Sequence, residues 1–277
     1  MSTADPTQAP IPPRVPPQGS EPAIAGAPPA GSIRWLPATV VSARMETAGS
    51  RTLHLSAPGF LPTVAGQHLD VRLTAPDGYT AQRSYSIGSP AAAGQLELTV
   101  DLMAMGEVSP YLVEAVEVGD MFEVRGPIGQ WFVWRPEQTG SVQLIAGGSG
   151  IVPIMAMIRT HAQIGSAATF RLLYSVRSPD VEFYRDELDA LERSSAGALV
   201  VERIYTRTAP LGHPHRVGRI DQAIIQQLSL PPSSADGPAP TVYVCGPTPF
   251  VEVVANALVG IGHAPENVRT ERFGPTG

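Results

Sequence analysis

The sequence has 277 residues, enough for two domains of ordinary size, and 43% hydrophobic with 16% charged residues is a globular composition. A formal net charge of -6 argues against a nucleic-acid binder, which needs a basic footprint. No apolar run reaches the roughly 20 residues that cross a bilayer, so we predict no membrane insertion.

The residue inventory excludes several kinds of site. Lysine is absent, which excludes Schiff-base chemistry and a phosphate-binding loop that ends in lysine. Cys245 is the single cysteine, so the chain holds no internal disulfide, cysteine-ligated zinc or iron–sulfur cluster of its own. His213 and His215 share a loop without an obvious third ligand, and we predict no metal site. No secretory signal opens the sequence, which predicts a cytoplasmic protein.

The first half of the chain has the pattern of a small β domain. Residues 1–33 are rich in Pro and Ala and are predicted to form a disordered tail. Residues 34–136 then show short β-rich runs separated by turn residues, with one helix near residues 110–116, which favours an antiparallel β-barrel. The six predicted strands are residues 38–43, 52–57, 68–73, 82–87, 96–101 and 121–125.

The second half, residues 141–277, alternates strands with helices and therefore predicts an α/β doubly wound parallel sheet. The predicted strands are residues 142–146, 170–175, 198–205, 242–245 and 268–272. The predicted helices are residues 151–164, 182–193, 221–229 and 249–261. Ligands of such sheets bind beyond the carboxyl ends of the strands. We therefore examine the loops after Ala146, Ser175, Tyr205 and Cys245.

Two motifs of the β domain could hold an anionic ligand with a planar ring. In Arg83-Ser84-Tyr85-Ser86, strand geometry puts Arg83 and Tyr85 on one face, where a guanidinium and an aromatic ring could act together. The run Gly106-Glu107-Val108-Ser109 precedes Pro110, and we expect Ser109 to cap a helix whose free amides could approach a phosphate.

A glycine cluster follows the first strand of the second half. The run Gly147-Gly148-Ser149-Gly150-Ile151-Val152-Pro153 passes from an apolar strand into a helix, the layout that cradles a dinucleotide pyrophosphate. A serine hydrolase is the rival interpretation, because Ser149 lies between glycines. The nucleophile elbow G-x-S-x-G needs glycine where this chain has Ile151, so we reject it.

Two further motifs end strands near the carboxyl terminus. Cys245-Gly246-Pro247 closes one predicted strand, and Thr270-Glu271-Arg272-Phe273 closes the last one. Both are expected at the ligand-binding edge of the sheet.

The order and spacing of these motifs resemble the ferredoxin–NADP reductase family, over residues from about 34 to 277. The matching residues are Arg83-x-Tyr85-Ser86, Gly106-x-Val108-Ser109, Gly147-Gly148-x-Gly150-Ile151-x-Pro153, Cys245-Gly246-Pro247 and Glu271-x-Phe273. The resemblance implies a flavin-binding antiparallel barrel followed by a domain that binds the nicotinamide nucleotide.

The resemblance also implies roles for single residues. Arg83 would bind the flavin pyrophosphate, Tyr85 would pack on the flavin, and Ser86 would hydrogen-bond near the nitrogen that accepts hydride. Cys245 and Glu271 would line the nicotinamide pocket, which makes Ser86, Cys245 and Glu271 the predicted catalytic residues. The other predicted FAD contacts are Ser84, Gly106, Glu107, Val108, Ser109 and Phe273. The other predicted nucleotide contacts are Gly147, Gly148, Gly150, Ile151, Pro153, Thr206, Arg207, Gly246 and Pro247.

The implied activity is hydride transfer from NAD(P)H to FAD, followed by electron transfer to a separate ferredoxin or oxygenase component. Family members that prefer NADPH place a hydroxyl and an arginine where this chain has Thr206 and Arg207, which favours NADPH over NADH. Two alternatives stay open: a flavin or quinone reductase with a diffusible acceptor, and a flavin-binding electron-transfer subunit of a larger complex.

Overall fold

The computed structural model describes residues 33–89, 93–233 and 238–274. The predicted disordered tail, residues 1–33, therefore lies outside the described residues except for Ile33. The first part of the described chain forms a six-stranded antiparallel sheet in the order β4-β3-β6-β1-β2-β5. Its strands are β1 Leu36–Thr47, β2 Ser50–Ser56, β3 His68–Thr74, β4 Thr80–Ser86, β5 Gln95–Asp101 and β6 Met121–Ile128.

The six-stranded sheet closes on itself as the predicted barrel. A bridge between Ile87 and Leu98 joins the two outermost strands, β4 and β5. Alternate residues point inward because side chains in a strand alternate between its faces, so Leu53 and Leu55 of β2 are buried in the barrel core.

The second part forms a five-stranded parallel sheet in the order β11-β10-β7-β8-β9. Its strands are β7 Val142–Gly147, β8 Phe170–Val176, β9 Leu199–Tyr205, β10 Thr241–Pro247 and β11 Val268–Phe273. Its helices are α1 Ile151–Ile164, α2 Arg185–Ser194, α3 Gln222–Leu228 and α4 Thr248–Gly260.

The helices cover both faces of the parallel sheet, as a doubly wound fold requires. Leu144 and Leu172 face one core that also holds the buried side of α1, and Ile145 and Leu173 face a second core shared with α3 and α4. Since successive strand residues enter different cores, apolar residues occupy both faces of β7 and β8.

The predicted elements of both sheets are confirmed, with differences of a few residues at their ends. The predicted cap at Ser109 is wrong, and one helix begins later than predicted. The predicted helix 110–116 is a short π-type helix, Tyr111–Ala115, and the Ser109 hydroxyl does not cap it, because it pairs with the backbone of Met103. Helix α2 begins at Arg185 rather than residue 182, because a single helical turn at Pro179–Val181 and a left-handed Tyr184 precede it.

None of the helices within the described residues is both long and apolar enough to span a bilayer.

Candidate active site

Three predicted catalytic residues come together where the barrel meets the parallel sheet. Cys245 and Glu271 lie side by side on the paired strands β10 and β11. Ser86 ends β4 of the barrel, and its hydroxyl donates a hydrogen bond to the Glu271 carboxylate. A hydroxyl, a thiol and a carboxyl group from three distant parts of the sequence thus share one site.

The surroundings of this site favour the protonated form of both acidic groups. Burial raises the pKa of Glu271 to about 7, although the hydrogen bond from Ser86 opposes the rise. Cys245 is fully buried, and burial together with the nearby Glu271 carboxylate raises the pKa of its thiol. At neutral pH, Cys245 is therefore an apolar thiol and Glu271 is poised to hold or release a proton.

The guanidinium group of Arg83 already holds an anion in this structure. Its Nη2 atom lies 3.1 Å from Oε2 of Glu107, and the Tyr79 hydroxyl donates to the other oxygen of the same carboxylate. Both Arg83 and Glu107 are exposed. The structure thus brings two predicted flavin contacts together, joined by Tyr79, which the sequence motifs did not single out.

Strand β4 presents its residues to opposite faces, as expected. Tyr85 packs against the barrel core, and burial raises the pKa of its hydroxyl. Ser84 points to the other face, where its hydroxyl donates to Asp70 at 2.7 Å and Asp70 is paired with Arg125 at 2.6 Å. The side chain of Ser84 is therefore committed to a surface network rather than to the face of Arg83 and Tyr85.

The turn before the short helix is tightly folded. A Cβ atom on Gly106 would lie 3.0 Å from the Met103 carbonyl oxygen and 3.1 Å from Oγ of Ser109, so a larger residue would strain the turn. Val108 is fully buried and Ser109 nearly so. Among the four predicted contacts at residues 106–109, the exposed one is Glu107.

The glycine cluster forms a turn that packs against the end of β10. A Cβ atom on Gly150 would lie 2.2 Å from the Cys245 carbonyl oxygen, so only glycine fits. Gly148 adopts φ +55°, and the space where its side chain would be is open. The phenyl ring of Phe250 lies over Gly147 and Gly246, since a Cβ atom on either would approach it to 2.7 Å.

A cleft of about 770 Å³ opens beside this turn. The parallel strands contribute residues from all four loops predicted to frame a ligand site, after β7, β8, β9 and β10. These residues include Gly147, Gly148, Ser175, Thr206 and Pro247. The barrel supplies the opposite wall, which the sequence did not indicate, through Thr47, Gly49, Asp101 and Leu102.

Charged residues line the cleft at the ends of β8 and β9. Arg177 and Arg219 face it beside Thr206. Burial raises the pKa of Asp101, and the positive charge of Arg177 across the cleft opposes the rise. Arg207 is exposed and is not among the lining residues; its backbone amide donates to the Arg177 carbonyl instead. Arg219 was missed because it follows β9 by a long loop whose path no sequence pattern reveals.

The remaining predicted contacts lie around the cleft rather than in its lining. Ile151 and Pro153 are buried in the core beneath the first turn of α1. Gly246 lies buried under Phe250, and Phe273, paired with Pro247, packs at the edge of the same core.

The residues present fit a flavin and a dinucleotide. The Glu107 carboxylate is a stand-in anion on Arg83, at the place where the motif predicts a phosphate. The glycine turn leaves a surface at Gly148 that a Cβ atom would fill, and it opens into a cleft with two arginines. Tyr85 supplies an aromatic ring that is partly buried against the barrel core, next to Ser86 in sequence.

Comparisons with known proteins agree with this arrangement. Residues 38–133 match the oxidoreductase FAD-binding domain, and residues 144–256 match the oxidoreductase NAD-binding domain. The chain is 33% identical to ferredoxin–NADP reductase B of Sorangium cellulosum, over 76% of this chain and 84% of that protein. It is 28% identical to a flavohemoprotein of Bacillus subtilis, over 76% of this chain but 51% of that protein, so it spans about half the length of this relative.

A solved structure supports the same fold. The flavohem-like FAD/NAD binding domain of nitric oxide dioxygenase from Vibrio cholerae superposes with a TM-score of 0.75. The match covers 87% of this chain and 99% of that one, at 22% sequence identity.

Proposed function

The chain belongs to the ferredoxin–NADP reductase-like family of FAD- and NAD-binding oxidoreductases, and from this premise we propose that it is an NAD(P)H-dependent flavoprotein reductase. The proposed reaction moves a hydride from the nicotinamide to FAD and passes the electrons to a separate acceptor. When bound, FAD supplies a ring that accepts a hydride and can release electrons one at a time.

The observation that carries this proposal is the convergence of Ser86, Cys245 and Glu271 at the junction of the two domains. When Glu271 is protonated, the Ser86 hydroxyl can accept from it and donate its own proton at the flavin edge. Glu271, with a pKa of about 7, can hold or release a proton there near neutral pH. The Cys245 thiol is fully buried, so it would help to exclude water beneath the nicotinamide site.

The flavin would be held mainly by the barrel. Arg83 would bind the pyrophosphate in place of Glu107, and Tyr85 would cover one side of the ring. The backbone of Gly106–Ser109 would contact the same pyrophosphate, which favours FAD over FMN. Phe273 would lie near the opposite side of the flavin.

The nucleotide would lie in the cleft beside the glycine turn. Gly147, Gly148 and Gly150 would let the pyrophosphate approach the backbone at the start of α1. Arg177 and Arg219 beside Thr206 support NADPH, because arginine forks suit a 2′-phosphate. Arg207 is a weaker candidate for that contact because it does not line the cleft.

The acceptor would be a separate protein such as a ferredoxin or an oxygenase component. Support comes from the sequence, whose one cysteine cannot ligate an iron–sulfur cluster. We place the reaction in the cytoplasm, since reduced nicotinamide nucleotides are supplied there.

The test is to reconstitute the protein with FAD, mix it rapidly with NADPH or NADH, and follow the bleaching of flavin absorbance. We expect bleaching by both nucleotides, faster with NADPH. No bleaching with either would overturn the reductase proposal, and faster bleaching with NADH would overturn the role of the cleft arginines. Steady-state rates with added ferredoxins and quinones then separate a protein acceptor from a diffusible one.

A further inference from the structure

We propose that Arg159 is a positioning residue that anchors the barrel segment Ser86–Gly88 to the nucleotide domain and thereby holds Ser86 against Glu271. This inference rests on the proposed function, since it concerns the geometry of that same site. Arg159 lies in the middle of α1, beyond the end of the glycine motif at Pro153 and outside every motif described above.

Arg159 is a nearly buried arginine with partners in both domains. Its Nη1 atom donates to the Gly88 carbonyl oxygen at 2.8 Å and also to Glu97, and both partners belong to the barrel. Its Nε and Nη2 atoms donate to the two oxygens of Glu187, each at 2.7 Å, within the nucleotide domain. Only 14% of its side chain is exposed.

The environment of Arg159 keeps it charged. Burial lowers the pKa of Arg159, but the hydrogen bonds with Glu187 and the charge of Glu97 outweigh that effect and raise the pKa above its ordinary value. The Cζ atom of the guanidinium group also lies over the Tyr184 ring, 4.9 Å from the ring centroid. A rigid fork is needed to meet all these partners, which lysine cannot provide.

Gly88 is shaped for this contact. A Cβ atom on Gly88 would lie 2.8 Å from Oε1 of Glu97 and 3.2 Å from the Tyr184 hydroxyl oxygen. The Gly88 amide donates to the Glu97 carbonyl at 2.8 Å. Because both the amide and the carbonyl of Gly88 are bound, the backbone at this point has little freedom.

The two anchors act on one short segment. Glu271 of β11 binds Ser86, and Arg159 of α1 binds Gly88 two residues later. Both anchors belong to the nucleotide domain, whereas the segment belongs to the barrel. A change at Arg159 should therefore alter the position of Ser86 without touching either cofactor site directly.

The experiment compares Arg159→Gln and Arg159→Lys with a matched control, Arg203→Gln. Arg203 is likewise bound to two carboxylates, Glu182 and Asp189, but both lie in its own domain. The first measurement is amide hydrogen exchange of Gly88 in the protein without flavin or nucleotide. The second is the rate of flavin reduction, and its pH midpoint, in the FAD-loaded protein.

We expect Arg159→Gln to raise exchange of the Gly88 amide about tenfold, because losing the charged donor on the Gly88 carbonyl loosens the segment whose amide donates to Glu97. Flavin reduction should slow by about tenfold or more, because the reacting groups are displaced. The pH midpoint, which Glu271 would set, should rise, as we also expect for Ser86→Ala, because the hydrogen bond from Ser86 lowers the pKa of Glu271. Cys245 lies beside Glu271 and is the same in every variant, so a change in the midpoint is assigned to the contact with Ser86. Arg159→Lys should restore part of each effect, and Arg203→Gln should show none.

The positioning role would be overturned if Gly88 exchange and the pH midpoint stay at their wild-type values in Arg159→Gln. It would also be overturned if both change equally in Arg203→Gln. Wild-type protein whose flavin is not reduced by either nucleotide would instead overturn the proposed function. The exchange measurement still decides whether Arg159 anchors Gly88 in that event.

Discussion

Glu271 makes the stability of the protein depend on pH. Its pKa is raised from 4.5 to about 7, so the folded protein binds a proton that the unfolded chain releases at lower pH. Between pH 4.5 and about 7, the folded state therefore binds more protons than the unfolded chain. The stability that Glu271 contributes is present below pH 4.5 and is lost as pH rises through about 7.

We therefore predict that Glu271→Gln gains stability relative to wild type as pH rises from 5 to 8. The expected change in the difference between their free energies of unfolding is roughly 1–3 kcal/mol, smaller than the full shift implies because the residue is partly exposed. Urea denaturation at both pH values measures it. The exposed Glu252→Gln serves as control, and a difference that does not vary with pH would contradict the prediction.

The Glu107 carboxylate competes for Arg83 with any phosphate that binds there. We predict that Glu107→Gln binds FAD about two- to fivefold more tightly than wild type, the range expected for an exposed ion pair. Arg83→Ala should bind FAD more weakly than either. Quenching of flavin fluorescence during titration reports the dissociation constant. The exposed Glu114→Gln controls for net charge, and an equal gain in that variant would argue against local competition.

In the glycine turn between β7 and α1, two glycines are needed for different reasons: Gly150 because space is lacking and Gly148 because of its backbone conformation. Gly150→Ala forces a methyl group onto the Cys245 carbonyl oxygen and should cost more than about 3 kcal/mol of unfolding free energy. Gly148→Ala has open space and should cost only about 1–2 kcal/mol, for its left-handed conformation.

Thermal denaturation of both variants tests this order, and NADP+ titration shows whether the turn still binds. We expect Gly148→Ala to fold and to bind more weakly, because its methyl group projects toward the cleft side. An equal loss of stability in the two variants would contradict the packing argument.

The strands and helices could be predicted from the sequence because each has a local cause. The alternation of apolar residues in β2 and the apolar run Leu144–Ala146 in β7 indicate that these strands are buried without knowledge of their neighbours. The same holds for the pairing of Cys245 with Glu271, since parallel strands end at one edge.

Residues whose role depends on the contact between domains could not be predicted. Arg159 looks like any polar residue on an apolar helix until Glu97 and Gly88 are brought to it. Asp101 ends a barrel strand and becomes a cleft residue only because the nucleotide domain lies opposite. The cap predicted at Ser109 failed for a local reason, because the Ser109 hydroxyl pairs with the backbone amide and carbonyl of Met103.

Across the whole molecule, a buried polar contact joins the two domains at Tyr184. Its hydroxyl donates to Thr99 of the barrel at 2.5 Å, and Thr99 is also within 2.7 Å of Thr52. Its backbone amide faces Glu46, another barrel residue. Since these groups satisfy each other only when both domains are folded, we expect the domains to unfold together.

We predict that Tyr184→Phe lowers the free energy of unfolding by about 1 kcal/mol and separates the unfolding of barrel and nucleotide domain. Hydrogen exchange of peptides from each domain, measured across a urea series, resolves the two. Tyr174→Phe is the control, because the Tyr174 hydroxyl accepts from Phe183 within one domain. The prediction would be contradicted if the two domains still unfold together in Tyr184→Phe, or if their unfolding separates equally in Tyr174→Phe.

Because Cys245 is buried, the reactivity of its thiol reports local opening of the fold. It is the only thiol in the sequence, it has no exposed surface, and it lies where β10, β11 and the glycine turn meet. An alkylating reagent can modify it only in molecules whose sheet edge has opened. The labelling rate therefore measures how often this sheet edge opens. A bound nucleotide that stabilises the edge would make opening rarer and labelling slower.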